Sequence, residues 1–337
     1  MIGPERAYDP SVSRPASDDV ALRHDVQASA PRVSETRTRA GVTGIQSVIR
    51  IAHGGKERLY AAQLECTVDL DPAHKGVHMS RFPEQIGESI ERLVIGESLH
   101  VEELASAIAR DTLGRQGALR SQVRIEAIQS TTRTAPRSGL PSQEISTLIG
   151  VATASAQGVR RAVGVRVRGI TACPCAQGMV RDHADERLAE MGYGEEERRR
   201  ILGTVPIATH NQRGEATLLL GTREHVPAER LSAIAERSMS APILTLLKRS
   251  DELHVVEQAH ANPRFVEDVV REMVAGVVEE FPALEDDAFV QAHQRNFETI
   301  HAHDVIAERT GLLGELRAEL AGGDGGSHAS LDDWLRS

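Results

Sequence analysis

Apolar and polar positions alternate over residues 45–51 and 59–70, the period of a half-buried strand, and His53, Gly54, Gly55 and Lys56 between them predict a hairpin turn. The period then lengthens. Ile86, Ile90, Leu93 and Val94 share one helical face, with Pro83 near its start, and Val101, Leu104, Ile108 and Leu113 share a second. Val123, Ile125 and Ala127 return to strand spacing, after which a polar linker is expected over 131–142 and a helix through Ile145, Ile149 and Val151. In the second half, Val163, Val165 and Val167 predict one strand and residues 217–220 another. Helices are expected over 230–247 and 265–278, a strand over 288–293, and a closing helix carried by Ile306, Arg309, Leu313, Leu316 and Leu320.

Each half therefore offers strands followed by paired helices, which gives an α+β chain of two modules, 25–150 and 151–321. Residues 1–24 are rich in Pro, Ser, Asp and Arg without an apolar period and read as a disordered tail. Residues 322–337 open on Gly322, Gly323, Gly325 and Gly326 and read as a flexible tail, with Leu331 and Trp334 as residues able to dock.

Composition narrows the function classes. The chain has 337 residues, enough for a large core, and its formal net charge of −10 argues against nucleic acid or an anionic membrane as partner. No stretch approaches the ~18 apolar residues of a membrane span, and the N-terminus lacks a signal-like apolar run, so the protein reads as soluble and cytoplasmic. Its 3 cysteines are too few for a disulfide framework. Cys66 alternates with Leu64, Val68 and Leu70 and reads as core. Cys173 and Cys175, separated by Pro174, would form a small strained ring if joined, so they stay thiols.

That leaves Cys173-Pro174-Cys175 as the chemical candidate, at the end of the strand closing at Ile170, where proline stiffens the start of a loop. His210 sits in the polar run Thr209-His210-Asn211-Gln212-Arg213. His301 and His303 share a face if their segment is extended, with Glu298 just before them. Thiolate, imidazole and carboxylate are the side chains of a transition-metal site, whereas Asp251-Glu252 and Glu267-Asp268 by spacing alone are solvated helix faces.

These segments resemble the type IB GTP cyclohydrolases and their archaeal relatives, which open the guanine ring of GTP at the head of pterin and tetrahydrofolate synthesis. The landmarks run in order: Asp25-Val26-Gln27, Gly41-Val42-Thr43, Lys75-Gly76-Val77-His78-Met79-Ser80-Arg81, Cys173-Pro174-Cys175-Ala176-Gln177 and Thr209-His210-Asn211-Gln212-Arg213. Leu247-Lys248-Arg249-Ser250-Asp251-Glu252, Asn262-Pro263-Arg264-Phe265-Val266-Glu267-Asp268 and Phe297-Glu298-Thr299-Ile300-His301-Ala302-His303-Asp304 complete the set.

The resemblance implies tandem tunnelling-fold modules, each an antiparallel sheet backed by paired helices, in a homotetramer with active sites between subunits. It implies that Cys173, His210 and Glu252 hold a divalent metal (Fe2+, Mn2+ or Zn2+), with His301 and His303 at or beside it. Glu298 would be a nearby acid, and Glu267 would grip the guanine edge. Lys75, Arg81, Arg213, Lys248 and Arg249 are the candidate partners of the triphosphate. The implied product is 7,8-dihydroneopterin triphosphate, or in the archaeal branch a 2',3'-cyclic phosphate. Two readings of other kinds remain at this point: a purine- or pterin-binding module with a structural metal, and a related enzyme that uses Cys175 as a covalent nucleophile on a nitrile with a nicotinamide cofactor.

Overall fold

The computed structural model describes residues 27, 29–32, 39–53, 56–94, 100–323, 326 and 329–337. Strands β1 (Arg39–His53) and β2 (Lys56–Asp69) pair antiparallel from Arg39↔Asp69 to His53↔Lys56, as their alternation predicts. Gly54 and Gly55 of the expected turn lie outside the described residues, as do the expected tail 1–24 and the landmark pair Asp25-Val26. Helices α1 (Arg81–Val94) and α2 (Val101–Gln116) follow, then β3 (Arg120–Thr134), β4 (Pro141–Ser155) and β5 (Gly158–Ala172). The second half continues with α3 (Pro174–Glu190), α4 (Glu195–Thr204), β6 (Asn211–Gly221), α5 (Ala228–Arg237), β7 (Ala241–Pro242), α6 (Arg249–Ala261) and α7 (Val266–Glu280). It closes with β8 (Phe289–Asn296), β9 (Val305–Leu312), α8 (Leu313–Leu320) and α9 (Leu331–Arg336).

All strands join one antiparallel sheet in the order β1-β2-β3-β4-β5-β6-β8-β9, with β7 paired to β5. Helices α2, α5 and α7 bury Ile108, Ile234 and Met273 against one face, in a core cluster that runs without interruption from Ile49 on β1 to Ala292 on β8. Residues 150 and 151, either side of the expected boundary, lie inside β4, and β4 joins β5 through Ala156 and Gln157. Cys66 is fully buried there, as expected, and burial pushes its thiol pKa up.

Four expectations need correction. The helix through Ile145, Ile149 and Val151 is strand β4, and the linker before it is mostly the paired ends of β3 and β4, from Thr131↔Glu144 to Thr134↔Pro141. Leu148, Ala152 and Ala154 meet the helical layer, while Ile149 and Val151 lie under a second apolar cluster on the other face. A strand covered on both sides loses the alternation that marks it in a sequence.

The helix expected over 230–247 stops at Arg237 because β4 leaves β5 after Arg166, and Met239 to Pro242 fill the vacated edge. Ser240 N–H donates to Ile170 O at 2.9 Å. The closing helix begins only at Leu313, because residues 305–312 extend the sheet on the β8 edge and Leu313 N–H is held by Ala288 O at 2.7 Å.

In the tail, Leu331 and Trp334 dock, as the sequence reading allows. Asp324, Gly325, Ser327 and His328 lie outside the described residues, but α9 is docked, with Trp334 and Leu335 buried against Ile149, Val151, Ala162, Leu219 and Phe289. Ser330 caps this helix by accepting from Asp333 N–H, and Trp334 Nε1–H donates to Asp287 O at 2.8 Å. Helices α3 and α4 had no sequence signal, and α6 is marked only by the helix face read at Asp251-Glu252; α3 buries no residue at all in one chain, so it carries no apolar stripe to read.

Two outcomes follow. A Cβ at Gly150 would come within 2.6 Å of Val101 O, where α2 rests on β4. Gly150→Ala should lower the unfolding free energy by about 1–3 kcal/mol, read as a lower urea midpoint at unchanged slope.

Asp251, expected on a solvated face, is fully buried and accepts from Arg137 N–H (2.8 Å), Ser138 N–H (2.9 Å) and Lys248 N–H (2.9 Å). Burial opposes its charge, but these donors outweigh it and hold the carboxyl well below the usual carboxylate range. A depressed folded-state pKa stabilises the fold above the ordinary value near 4, and the gain is lost as pH falls. The thermal midpoint of Asp251→Asn should therefore lie below that of the unaltered protein at neutral pH, and the gap should close below about pH 4.

Candidate active site

Antiparallel pairing of β5 with β6 ends at Ala172↔Asn211, so the residues just beyond, Cys173 and His210, leave the sheet side by side. Cys173 N–H donates to His210 O at 3.1 Å, and Thr209 Oγ1–H donates to Cys173 O at 2.7 Å. Cys173 is the N-cap of α3, and Ala176 N–H points at its sulfur at 3.5 Å. Pro174 is thus the first residue of a helix rather than the middle of a loop, a position that suits its missing N–H. Cys173 is half-buried and Cys175, in the first turn, is exposed.

On the other flank, β8 pairs with β6 up to Asn296↔Gly214, and Phe297 N–H donates to Arg213 O at 2.9 Å. This brings Glu298 to His210: Oε2 lies 3.7 Å from Nδ1, with only 6% of the Glu298 side chain exposed. Among the described residues that oxygen has no hydrogen-bond donor. A buried carboxylate oxygen without a donor is costly, and this one lies beside the His210 imidazole.

Gln212 is the neighbour that sequence reading missed. Its Nε2–H donates to Thr171 Oγ1 at 3.0 Å, which turns its Oε1 toward His210 Nδ1 at 3.0 Å. The His210 proton then sits on Nδ1, and Nε2 keeps its lone pair for a ligand. The signal was available, since residues two apart on a strand share a face.

The remaining candidates divide. Arg264 N–H donates to Ala172 O at 2.9 Å, so the start of α7, with exposed Glu267 in its first turn, is tied to the same strand end. Arg213 follows His210 on β6 and is exposed. His301 and His303 lie exposed on the loop between β8 and β9, in bends and not in the extended segment the one-face reading requires, with rings 5.3 Å apart and nearly parallel.

Lys248, Arg249 and Glu252 open α6 and are exposed, whereas it is the last turn of α6 that reaches the cysteine motif, through Gln177 Nε2–H donating to His260 O at 2.7 Å. Eight residues of helix, about 12 Å, separate Glu252 from that contact. Lys75 and Arg81 follow the end of β2 at Asp69, whose register runs through Arg120 and Ser155 to Gly158, the end of the sheet opposite Cys173. Among the described residues, no three of His, Cys, Asp and Glu converge closely enough within one chain to hold a metal ion.

No helix among the described residues is long and apolar enough to cross a membrane. The chain matches the family described as Type I GTP cyclohydrolase folE2 over residues 24–307. It is 41% identical to GTP cyclohydrolase MptA of Methanococcus aeolicus over 305 residues, 88% of this chain and 99% of that protein. With GTP cyclohydrolase MptA of Methanosarcina acetivorans it shares 39% over 307 residues, 88% of this chain and 96% of that one. The crystal structure of uricase from Arthrobacter globiformis aligns with a TM-score of 0.52 at 9% identity, covering 90% of this chain and 99% of that one. That likeness shows a shared fold, the tunnelling fold that the motifs imply. Sequence match and site together give the conclusion that the chain belongs to the type I GTP cyclohydrolase folE2 family of enzymes.

Proposed function

We propose that this protein is a metal-dependent GTP cyclohydrolase that opens the imidazole ring of guanine, releases formate and yields 7,8-dihydroneopterin triphosphate. The observation that carries the reading is the pairing of Cys173 with His210 at the ends of β5 and β6, with the buried Glu298 carboxylate 3.7 Å from His210 Nδ1, in a chain of this family.

The donor set of sulfur, imidazole nitrogen and carboxylate oxygen fits Fe2+, Mn2+ or Zn2+, with Cys173 and His210 as the paired ligands and Glu252 and His301 completing the set. When bound, the cation supplies Lewis-acid activation of water. Gln212 keeps His210 in the ligating tautomer. As water adds at C8 the ring nitrogens gain charge, and His301 or His303 donates the proton, with Glu298 as the acid beside His210. Glu267 accepts from guanine N1–H and the exocyclic amine together, a pair adenine lacks.

Arg213, Lys248 and Arg249 flank the second half of the chain, and Lys75 and Arg81 lie at the opposite end of the sheet. A homotetramer in which the Lys75 end of one copy meets the Cys173 end of another would unite them on the triphosphate, and would also complete the ligand set.

A second fate of the triphosphate, the 2',3'-cyclic phosphate, is favoured by the identity to proteins named MptA. Anaerobic incubation with GTP and Fe2+ or Mn2+, followed by a formate assay and mass analysis of the pterin, separates the two. Bound metal without formate or pterin would leave a binding module instead. Glu267→Gln should lower kcat/KM for GTP about a hundredfold or more while keeping the metal, and Cys173→Ala should lose both activity and metal. Normal GTP turnover by Glu267→Gln would refute the guanine assignment. Gln212→Leu should weaken metal binding about ten- to a hundredfold, measured by competition with a chelating dye.

A further inference from the structure

At the end of the sheet away from Cys173 lies a cavity of about 530 Å³ between α2, the β4–β5 turn and the docked helix α9. Five arginines line it, Arg110, Arg160, Arg161, Arg223 and Arg336, in a chain whose net charge is −10. Three are partly neutralised: Arg161 by Glu103 at 3.5 Å, Arg223 by Asp287 at 3.0 Å and Arg336 by Asp332 at 3.7 Å. Arg160 lies over the Trp334 ring at 4.9 Å, and neither it nor Arg110 has a carboxylate within ion-pair distance among the described residues.

The acidic residues of the wall are already paired within it. Glu285 accepts from Thr222 Oγ1 at 2.8 Å and from Arg223 N–H at 3.0 Å, and Asp287 is held by Arg223. A second observation points to a ligand. Thr153, 2% exposed, lines the same cavity, and among the described residues its hydroxyl has no hydrogen-bond partner. An unpartnered buried hydroxyl in a wall that also holds two guanidiniums without carboxylate partners is a set of donors suited to an anionic oxygen acceptor.

We infer that this cavity binds the phosphate groups of a small phosphorylated ligand, at a site separate from the one that opens GTP. Its volume suits a nucleotide or a polyphosphate. Strand β6 runs from Asn211 beside Cys173 to Gly221 beside the cavity, ten residue steps, or roughly 33 Å, within one chain, and neither Lys75 nor Arg81, the cations proposed to reach GTP from a neighbouring copy, lines the cavity. Part of the wall, Trp334 to Ser337, also lies outside residues 24–307 that match the family. The site is therefore not simply carried along with the family's shared core.

The chain has a single tryptophan, Trp334, and it stands in this wall, so its fluorescence reports on this cavity and on no other part of the protein. Titration of the full chain with pyrophosphate should change that fluorescence saturably, with an apparent Kd that rises with salt. Arg110 is exposed and Thr153→Val preserves shape, so both variants should fold. Arg110→Glu should raise Kd about tenfold or more, and Thr153→Val about fivefold, with GTP turnover unchanged in both.

Parallel titrations with GTP, ATP and inorganic pyrophosphate tell a nucleotide from a free polyphosphate; tighter binding of either supports the site. Absence of a saturable change, or a change indifferent to both substitutions, overturns the proposal. So does a tenfold fall in kcat/KM for GTP in Arg110→Glu, because the cavity would then belong to the catalytic phosphate subsite. The readout is binding at Trp334, so failure of the ring-opening reading would leave this result standing.

Discussion

The peptide units of Ala172 and Cys173 are the node on which the site depends. Ala172 N–H donates to Ser240 Oγ, and Ala172 O accepts from Arg264 N–H. Cys173 N–H donates to His210 O, and Cys173 O accepts from Thr209 Oγ1 and from Gln177 N–H. Two residues thereby tie together the turn before β7, the start of α7, the entry to β6 and the first turn of α3. Each of these backbone groups would be costly if buried without a partner, so the four segments are held in one arrangement, and the side chains of Cys173, His210 and Glu267 are aimed by backbone geometry.

That node exists because the sheet is not uniform. After Arg166 the β4 strand peels away from β5 and stays with β3, and the exposed edge of β5 is covered by the two residues of β7. The segment after β7 then returns to β4, where Thr245 N–H and Leu246 N–H donate to Glu144 and to Ser142 Oγ. Asp251 fastens the start of α6 to the turn between β3 and β4. An unpaired strand edge is a liability, and here it is closed by the same segments that lead into α6 and the start of α7.

The two ends of the sheet have different electrostatic character. The Cys173 end gathers thiol, imidazole and carboxylate, while the opposite end carries Lys75, Arg81 and the arginine-lined cavity under α9. An acidic protein that handles phosphates has to concentrate its cations locally, and the antiparallel register decides which cations meet. A single chain keeps Lys75 and Arg81 away from His210, which is why the proposed site draws on more than one copy.

By itself the sequence determined the α+β class, the β1–β2 hairpin, the burial of Cys66, and, through its ordered motifs, the family and the identities of Cys173 and His210. These are local patterns or chemical identities, and both are written along the chain. Tertiary structure alone decided that residues 141–155 form a strand, because burial on two faces erases alternation. It decided too that Trp334 docks, since a two-residue apolar signal has no meaning until Ile149, Leu219 and Phe289 form a surface to receive it. The partnership of Glu298 and Gln212 with His210 likewise rests on register between strands more than 80 residues apart and on contacts across one strand end, and pairing at that range is set by the packing of the whole sheet.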